Sequence, residues 1–341
     1  CIPHHTWSKA FGGSDNDRPN SIAVDATGSI YLAGHSMSPT LHFGGKELGN
    51  SGFQDLFVAK LDDDGSHIWS RRFGGEGSDH AMCICVGSGG GSYVLGHYTS
   101  PAINFSGETV ENQGMYDIFL LKLSAAGDVE WVRSFGGLDV DVASGCSCDT
   151  PGNVYITGYF KGHDVGFGGS PLLNQGDGDA YVAKYDSNGE HLWSFRIGEA
   201  DLELGRSVGV SGDGRIYLAG GFLAETLDLQ GTELHNQGAY DIFLAEVNET
   251  GTVLWAKGFG SEGSDTAWAL WGGESGHLMV NGVFGGAGFD VGGGPLEWVG
   301  GDDNYFAIFD PEGKHVYSRS FGGHLTDTVA PVICDQAGNI Y

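Results

Sequence analysis

The sequence has few basic residues, few prolines and no long apolar run. Lysine and arginine number 16 against 44 acidic residues, which gives a net charge of −28 at pH 7. Such an acidic chain repels phosphate backbones and anionic lipid headgroups, which argues against nucleic acid and bare membrane surface as partners. No run of about 18 apolar residues is present, so the sequence predicts no transmembrane helix.

Glycine and aromatic residues, in contrast, are abundant. The chain has 61 glycines, only 9 prolines, and 12% aromatic and 40% hydrophobic residues. This composition is typical of a turn-dense β protein rather than a disordered chain. The 341 residues are enough to bury a substantial core.

A unit of 62 residues recurs without insertion or deletion, each copy opening on a motif such as WSKAFGG. The copies begin at Trp7, Trp69, Trp131, Trp193, Trp255 and Tyr317. Segments such as LFVAKLD alternate with period two, and turn glycines such as Gly28 and Gly65 recur in register. Each copy therefore predicts a four-stranded antiparallel sheet, with a small extra hairpin such as LHFGGKEL or FDVGGGPL.

Repetition of a four-stranded unit is the design of a β-propeller, whose blades bury their faces against one another. A solenoid of stacked sheets is the alternative, less favoured because solenoids usually have shorter repeats and atypical capping units. The prediction is an all-β fold, a β-propeller of 62-residue blades. Residues 1–6 form an N-terminal tail, and residues 7–341 form a single propeller domain.

The segment DLFVAKLDDDGSHIWSRRFGG, together with SIAVDATGSIYLAGH, resembles the bacterial β-propeller repeat called SBBP, found in secreted and surface proteins. The resemblance implies that SIAVD is strand A, SIYLAGH strand B, DLFVAKL strand C and HIWSRRF the outer strand D. It implies five complete blades and a partial sixth, closed by pairing residues 329–341 with an N-terminal outer strand at 7–12. The C strand of that blade is missing from the sequence, so either the chain continues past Tyr341 or the ring stays open. Truncation is the favoured expectation, because an unpaired blade interior would expose a strand edge.

The tryptophan that opens most copies is followed four residues later by a bulky apolar residue. Residues i and i+4 of a strand lie on one face, so these side chains predict an inter-blade packing ladder. Stacking on sugars is the alternative function, but repetition in every blade is what a packing requirement predicts. The second members are Phe11, Phe73, Phe135, Ile197, Phe259 and Phe321.

Two acidic positions recur at loops expected on one face of a propeller. The first lies before strand A: Asp17, Asp79, Asp141, Glu203, Asp265 and Asp327. The second opens strand C: Asp55, Asp117, Asp179, Asp241 and Asp303. Rings of carboxylates attract cations, so the first row is a candidate calcium site. The favoured interpretation is that each side chain accepts hydrogen bonds within its own turn.

Cys83 and Cys85 lie on strand A of the second blade, and Cys146 and Cys148 on strand A of the third. Their registers differ by one residue, so the two pairs either face each other or face away. Buried free thiols are the default expectation, which Cys334 supports because it stands alone in its blade. An inter-blade disulfide and a four-thiol zinc site are the alternatives.

The fifth copy departs most from the others. Trp298 replaces the asparagine of the Asn-x-Gly loop, and both Trp268 and Trp298 are expected near Asp302 and Asp303 on the loop face. The counterparts of Trp268 in the other copies are Asn20, Met82, Ser144 and Arg206. Aromatic rings beside carboxylates form a candidate saccharide platform, with core filling as the alternative.

No catalytic constellation is found, which favours a non-enzymatic binding or structural scaffold whose loop face contacts a protein, a glycan or further copies of itself. The alternative is a secreted polysaccharide-active enzyme with acidic residues at the channel mouth. The resemblance implies a secreted or cell-surface location. A chain that starts at Cys1 is what lipoprotein processing leaves, so Cys1 is a candidate lipidation site on an outer-membrane lipoprotein.

Overall fold

The computed structural model describes residues 7–273 and 276–327, which form β-strands joined by turns. No helix occurs in these residues, and hence none that could cross a membrane. The predicted all-β class is confirmed. The chain divides into two compact units. Unit 1 comprises Cys1–Val154, Val165–Gly168 and Tyr185–His191, and unit 2 comprises Tyr155–Asp164, Gly169–Lys184 and Leu192–Tyr341.

Unit 1 contains two antiparallel four-stranded sheets, each with a small two-stranded hairpin. The first sheet has the order β1-β2-β5-β6 and the second β7-β8-β11-β12. The strands of the first repeat are β1 (Asp17–Val24), β2 (Ile30–Ser36), β3 (Thr40–Leu41), β4 (Leu48–Gly49), β5 (Asp55–Leu61) and β6 (His67–Phe73). Those of the second are β7 (Asp79–Val86), β8 (Ser92–Tyr98), β9 (Ala102–Phe105), β10 (Glu108–Glu111), β11 (Asp117–Leu123) and β12 (Val129–Phe135).

The third repeat is divided between the units. Its strands are β13 (Asp141–Cys148), β14 (Val154–Phe160), β15 (Asp164–Val165), β16 (Leu172–Leu173), β17 (Asp179–Tyr185) and β18 (His191–Ile197).

Unit 2 contains two further four-stranded sheets, ordered β19-β20-β23-β24 and β25-β26-β27-β28. The fourth repeat has β19 (Glu203–Val210), β20 (Ile216–Phe222), β21 (Thr226–Leu229), β22 (Thr232–His235), β23 (Asp241–Val247) and β24 (Val253–Phe259). The fifth has β25 (Thr266–Gly272), β26 (Leu278–Phe284), β27 (Asp303–Phe309) and β28 (His315–Phe321). The predicted hairpin FDVGGGPL forms no strand pair in the structure, and a single backbone hydrogen bond from the Leu296 amide to the Phe289 carbonyl oxygen, at 2.9 Å, joins its two arms.

The sequence places strands C and D of the first repeat at their observed bounds, but the outer strand predicted at residues 7–12 is wrong. Within the described residues the only β pairing of that segment is an isolated bridge between Gly12 and His42. A D strand pairs with the C strand of its own repeat, and no such C strand accompanies this first copy in the described part. The strands expected at 329–341 lie outside the described residues, so blade number and closure stay predictions, as does the single domain.

Strand A begins earlier than predicted, at Asp17 in β1, because it continues through a β-bulge. The bulge lies at one repeat position in the A and B strands of the first, second, fourth and fifth repeats, and its residue is Asn20, Met82, Arg206 or Trp268. Bulges re-aim a side chain out of the regular alternation of a strand. We call the end of the sheets at which the A and C strands begin the loop face, and the bulge residues lie near it.

Each repeat is joined to the next by its tryptophan. The indole N–H of Trp69 donates to the carbonyl oxygen of Ala125 at 3.0 Å. The ring lies on Gly127, whose φ of +79° favours glycine and where a Cβ would stand 2.6 Å from the indole. The same hydrogen bond, 56 residues along the chain, is made by Trp7 to Asp63, Trp131 to Ser187 and Trp193 to Glu249.

The phenylalanine of the motif packs on the small hairpin of the following repeat. The ring centroids of Phe73 and Phe105 are 5.0 Å apart, and those of Phe135 and Phe167 are 5.3 Å apart. The predicted packing ladder is therefore confirmed, and the tryptophans are not free for sugar stacking where they are buried in this way.

Trp69→Ala should lower the free energy of unfolding by about 3–5 kcal/mol, because it removes a buried indole and its hydrogen bond. Ile68→Ala is the matched control, since Ile68 is the preceding residue of β6 and is 47% exposed. The control should change stability by less than about 0.5 kcal/mol. Urea unfolding measures both, and equal losses would contradict the packing role.

Candidate functional site

The acidic row before strand A braces the turns that carry it. Asp79 accepts the Gly75 amide N–H at 2.8 Å, and Glu203 accepts that of Glu199 at 2.7 Å. The same bond, to the amide four residues upstream, recurs at Asp17, Asp141, Asp265 and Asp327. The turn-bracing interpretation is confirmed. Nowhere in 7–273 and 276–327 do three potential metal ligands gather as a metal-binding set, and calcium in this row stays a prediction.

The acidic row of strand C explains the glycine that follows the phenylalanine of the motif. Asp117 accepts the Gln113 amide at 2.9 Å with one oxygen. Its carboxylate fills the space beside Gly136, where a Cβ would stand 2.3 Å from it. The other oxygen is buried without a hydrogen-bond partner in Asp55, Asp117, Asp179, Asp241 and Asp303. A side chain larger than glycine would therefore displace the carboxylate.

Burial shifts the ionisation of several of these carboxyls. It raises the pKa of Asp241 to about 7, against the hydrogen bond from Gln237 and with the Asp265 charge adding to the rise. Burial likewise raises the pKa of Glu203 to about 7. Within the candidate calcium row the directions differ, because burial acts to raise the pKa of Asp17 but hydrogen bonds from Ser36 and Gly13 outweigh it and lower that pKa. Glu203 is therefore the member of this row that binds Ca²⁺ least readily near neutral pH, since Ca²⁺ binds ionised carboxylates.

In unit 2 the bulge residues of the fourth and fifth repeats meet. The Arg206 guanidinium lies over the Trp268 ring, with its central carbon 4.6 Å from the centroid. Arg206 Nε is buried without a hydrogen-bond partner, and burial lowers the pKa of the side chain while Tyr159 and Tyr240 oppose that shift. Trp268 is 46% exposed. An exposed indole thus lies beside a guanidinium that forms no ion pair with any carboxylate in residues 7–273 and 276–327.

The predicted saccharide platform is arranged differently from expectation. Trp298 is 41% exposed, and its indole N–H donates to the Gly301 carbonyl oxygen at 2.9 Å. Asp303 is buried and accepts the Val299 amide N–H, while the Asp302 carbonyl oxygen accepts the Asp327 amide N–H. Trp298 and Asp303 therefore bond within their own loop, whereas Asp302 bonds to the segment before the next repeat, and ligand binding at these residues stays a prediction.

Arg206 was missed by sequence reasoning as a functional residue. The signal is its place in the repeat, since Asn20, Met82, Ser144 and Trp268 occupy the same position. A position held by five unlike residues in a chain that otherwise repeats closely is where a specific contact is expected.

Unit 1 carries a cluster of histidines at the same end. The rings of His35 and His80 stack with centroids 4.1 Å apart, and His97 meets His80 edge-on at 5.5 Å. Burial lowers the pKa of His35 to about 4 and that of His97 to about 3. The imidazoles of His35 and His97 are therefore neutral at pH 7. His35 and His97 share a repeat position, and His80 of β7 pairs with His97 of β8.

Unit 1 also contains a cavity of about 270 Å³ at the opposite end of its sheets. Its lining includes Tyr93, Lys122 and Glu130. The Lys122 ammonium group is 3.1 Å from the Glu130 carboxylate and donates to the Ser187 carbonyl oxygen at 2.7 Å. The Lys122 ammonium group and the Glu130 carboxylate are thus paired with each other. Neither of these two charged groups is free to bind a ligand in the cavity.

The cysteine pairs of β7 and β13 face each other as four free thiols, Cys83, Cys85, Cys146 and Cys148. Cys1 and Cys334 lie outside the described residues, so lipidation of Cys1 stays a prediction.

Asp241→Asn should stabilise the chain increasingly as pH rises. The pKa of Asp241 is about 7 in the folded chain against an ordinary 3.8, so its contribution to stability is present below the ordinary value and lost as pH rises through about 7. Asparagine keeps an oxygen for the Gln237 amide and cannot ionise. Between about pH 4 and pH 8 the variant should gain about 2 kcal/mol over the native chain in urea unfolding. A difference that is constant with pH would contradict this.

Two curated proteins are similar to this chain over part of their length. An uncharacterised WD repeat-containing protein of Acanthamoeba polyphaga mimivirus is 22% identical over 321 residues, 73% of this chain and 23% of that protein. The regulatory protein FlaEY of Caulobacter vibrioides is 28% identical over 177 residues, 48% of this chain and 18% of that protein. The chain thus spans less than a quarter of either relative.

Among solved structures, a glucose dehydrogenase matches with a TM-score of 0.38 and 11% identity, over 80% of each chain. A likeness this weak carries no argument about fold or activity. Residues 6–39 match the family model of the SBBP beta-propeller repeat. The resemblance to the SBBP repeat found in the sequence is therefore confirmed.

Proposed function

We propose that the chain is a non-enzymatic module of β-propeller type that binds a partner through its loop face. The observation that carries this proposal is the contact of Arg206 with Trp268. Packing contacts recur from repeat to repeat, whereas these two bulge residues differ from their counterparts, are partly exposed, and include a guanidinium without a carboxylate. The other repeats fold with different residues at this position, so a role of Arg206 and Trp268 in recognition explains their contact better than a packing requirement does.

The partner is a protein that presents a carboxylate to Arg206. Tryptophan, tyrosine and arginine dominate the energetic centres of protein interfaces, and Arg206 has Trp268, Tyr159 and Tyr240 around it. The WD repeat in the name of one relative supports a protein-interaction scaffold. A glycan that bears carboxylates could pair with Arg206 in the same way, and the experiment below distinguishes it from a protein.

The proposed location is the cell exterior or surface, supported by the SBBP resemblance and by a charge that favours solubility. The alternative enzyme would use acidic residues at the loop face as acid and base. Those carboxyls accept hydrogen bonds from their own turns, so the contacts favour binding over catalysis.

Arg206→Gln should weaken binding of a carboxylate-rich partner at least about tenfold, which is about 1.4 kcal/mol. The probes are arrays of Asp- and Glu-containing peptides and of uronic-acid oligosaccharides, with affinities of hits measured by calorimetry. Arg319→Gln is the matched control, because Arg319 lies over Phe321 at 5.1 Å but on the outer strand β28.

Peptide binding that depends on Arg206 and not on Arg319 supports the proposal. Binding confined to oligosaccharides replaces the protein partner by a glycan. The absence of any ligand that depends on Arg206, with both variants folded, contradicts a binding site at this place, and cleavage of an oligosaccharide would favour the enzyme.

A further inference from the structure

Four cysteine side chains meet between strands β7 and β13 of unit 1. The Cys146 amide N–H donates to Sγ of Cys83 at 3.1 Å, and the Cys83 thiol donates to the Cys146 carbonyl oxygen at 3.3 Å. The Cys85 thiol is in hydrogen-bonding contact with the thiols of Cys146 and Cys148. The four side chains therefore lie near one another between two repeats, although within the described residues they do not gather as a metal-binding set.

Packing alone does not account for this cluster. The two cysteines of each strand are separated by one residue and share a face, and the one-residue offset between repeats turns the two pairs toward each other. The first, fourth and fifth repeats fill these positions without thiols. Ser21 and Ala23 correspond to the pair on β7, and Ile22 and Val24 to the pair on β13.

We propose that this cluster is a redox modification site at which two disulfide bonds, Cys83–Cys146 and Cys85–Cys148, join the second and third repeats. The pairing follows from the contacts. Within the described residues Cys85 is the one cysteine whose thiol contacts that of Cys148. Cys85 and Cys148 therefore form one pair, and Cys83 and Cys146, which are also in contact, form the other. The site is independent of the loop-face binding proposed above, because it lies in the other unit and uses none of the same residues.

The geometry and the chemistry of the thiols suit this reaction. A disulfide spans about 4.4–6.8 Å between Cα atoms, and a Cys83 sulfur that touches the backbone of Cys146 places the two strands within that reach. Burial acts to raise the pKa of the Cys146 thiol, but hydrogen bonds from Cys83 and Cys85 outweigh it and lower that pKa below its ordinary value. Cys146 is therefore the thiolate that starts the exchange.

The oxidant is a low-molecular-weight disulfide. The Cys146 thiolate attacks one of its sulfurs, the sulfur–sulfur bond breaks, and one small thiol leaves. Cys83, deprotonated as it reacts, then attacks the Cys146 sulfur of the mixed disulfide and releases the second small thiol. Two protein thiols are oxidised and one small disulfide is reduced to two thiols. Cys85 and Cys148 react in the same way with a second molecule.

The test uses the full chain carrying Cys1→Ser and Cys334→Ser, so that only the four cysteines of the cluster remain. This chain is treated with glutathione disulfide, and its thiols are counted with a chromogenic reagent, together with intact mass. The count should fall by four, the mass should fall by four hydrogen atoms, and the urea midpoint should rise and return on reduction. Two double variants isolate the pairs: Cys83→Ser with Cys146→Ser, and Cys85→Ser with Cys148→Ser. Each should lose two thiols.

The matched control is Cys85→Ser with Cys146→Ser, which leaves only Cys83 and Cys148, two thiols that are not in contact in the described part of the chain. It should oxidise at least tenfold more slowly than the two isolated pairs, and equal rates would overturn the pairing. A folded chain that keeps its thiols while the urea-denatured chain loses them would overturn the site. So would a stable glutathione adduct, or thiols protected by bound zinc.

Discussion

The indole of one repeat lying on the glycine turn of the next is the contact on which the rest of the structure depends. Trp69 needs both a carbonyl oxygen at Ala125 and a turn without a Cβ at Gly127. An insertion or deletion between them would shift the turn off the ring. This explains why a period of 62 residues runs through the chain unchanged, since each copy must present its turn to the copy before it.

A second constraint, the buried carboxylate of strand C against a glycine, removes most of the recurring acidic residues from the search for function. Asp117 and Gly136 exemplify it, because the carboxylate fills the space in which a side chain would stand. What the fold leaves free is the bulge of strand A. There the residue differs between repeats, and in unit 2 it brings a cation and an exposed indole together.

Much of the fold could be predicted from the sequence because its signals are local. Alternation and turn glycines placed strands such as β5 and β6 at their bounds. Strand A was predicted four residues short, since Pro19 and Asn20 break the alternation at a bulge. The site was less accessible to prediction. The sequence pointed to Trp268, but its partner Arg206 is one repeat away. The two side chains meet because strand A has a bulge at the same position in both repeats, and sequence alternation does not reveal that bulge.

The central claim is that packing positions specify the fold while bulge positions are free to serve recognition. Saturation mutagenesis with selection for folded chains tests it most directly, by comparing tolerance at Arg206 and Trp268 with tolerance at Trp69 and Trp131. The account predicts that folded chains accept almost any residue at the two bulge positions and few residues other than tryptophan at the packing positions. Equal intolerance at both sets would contradict it.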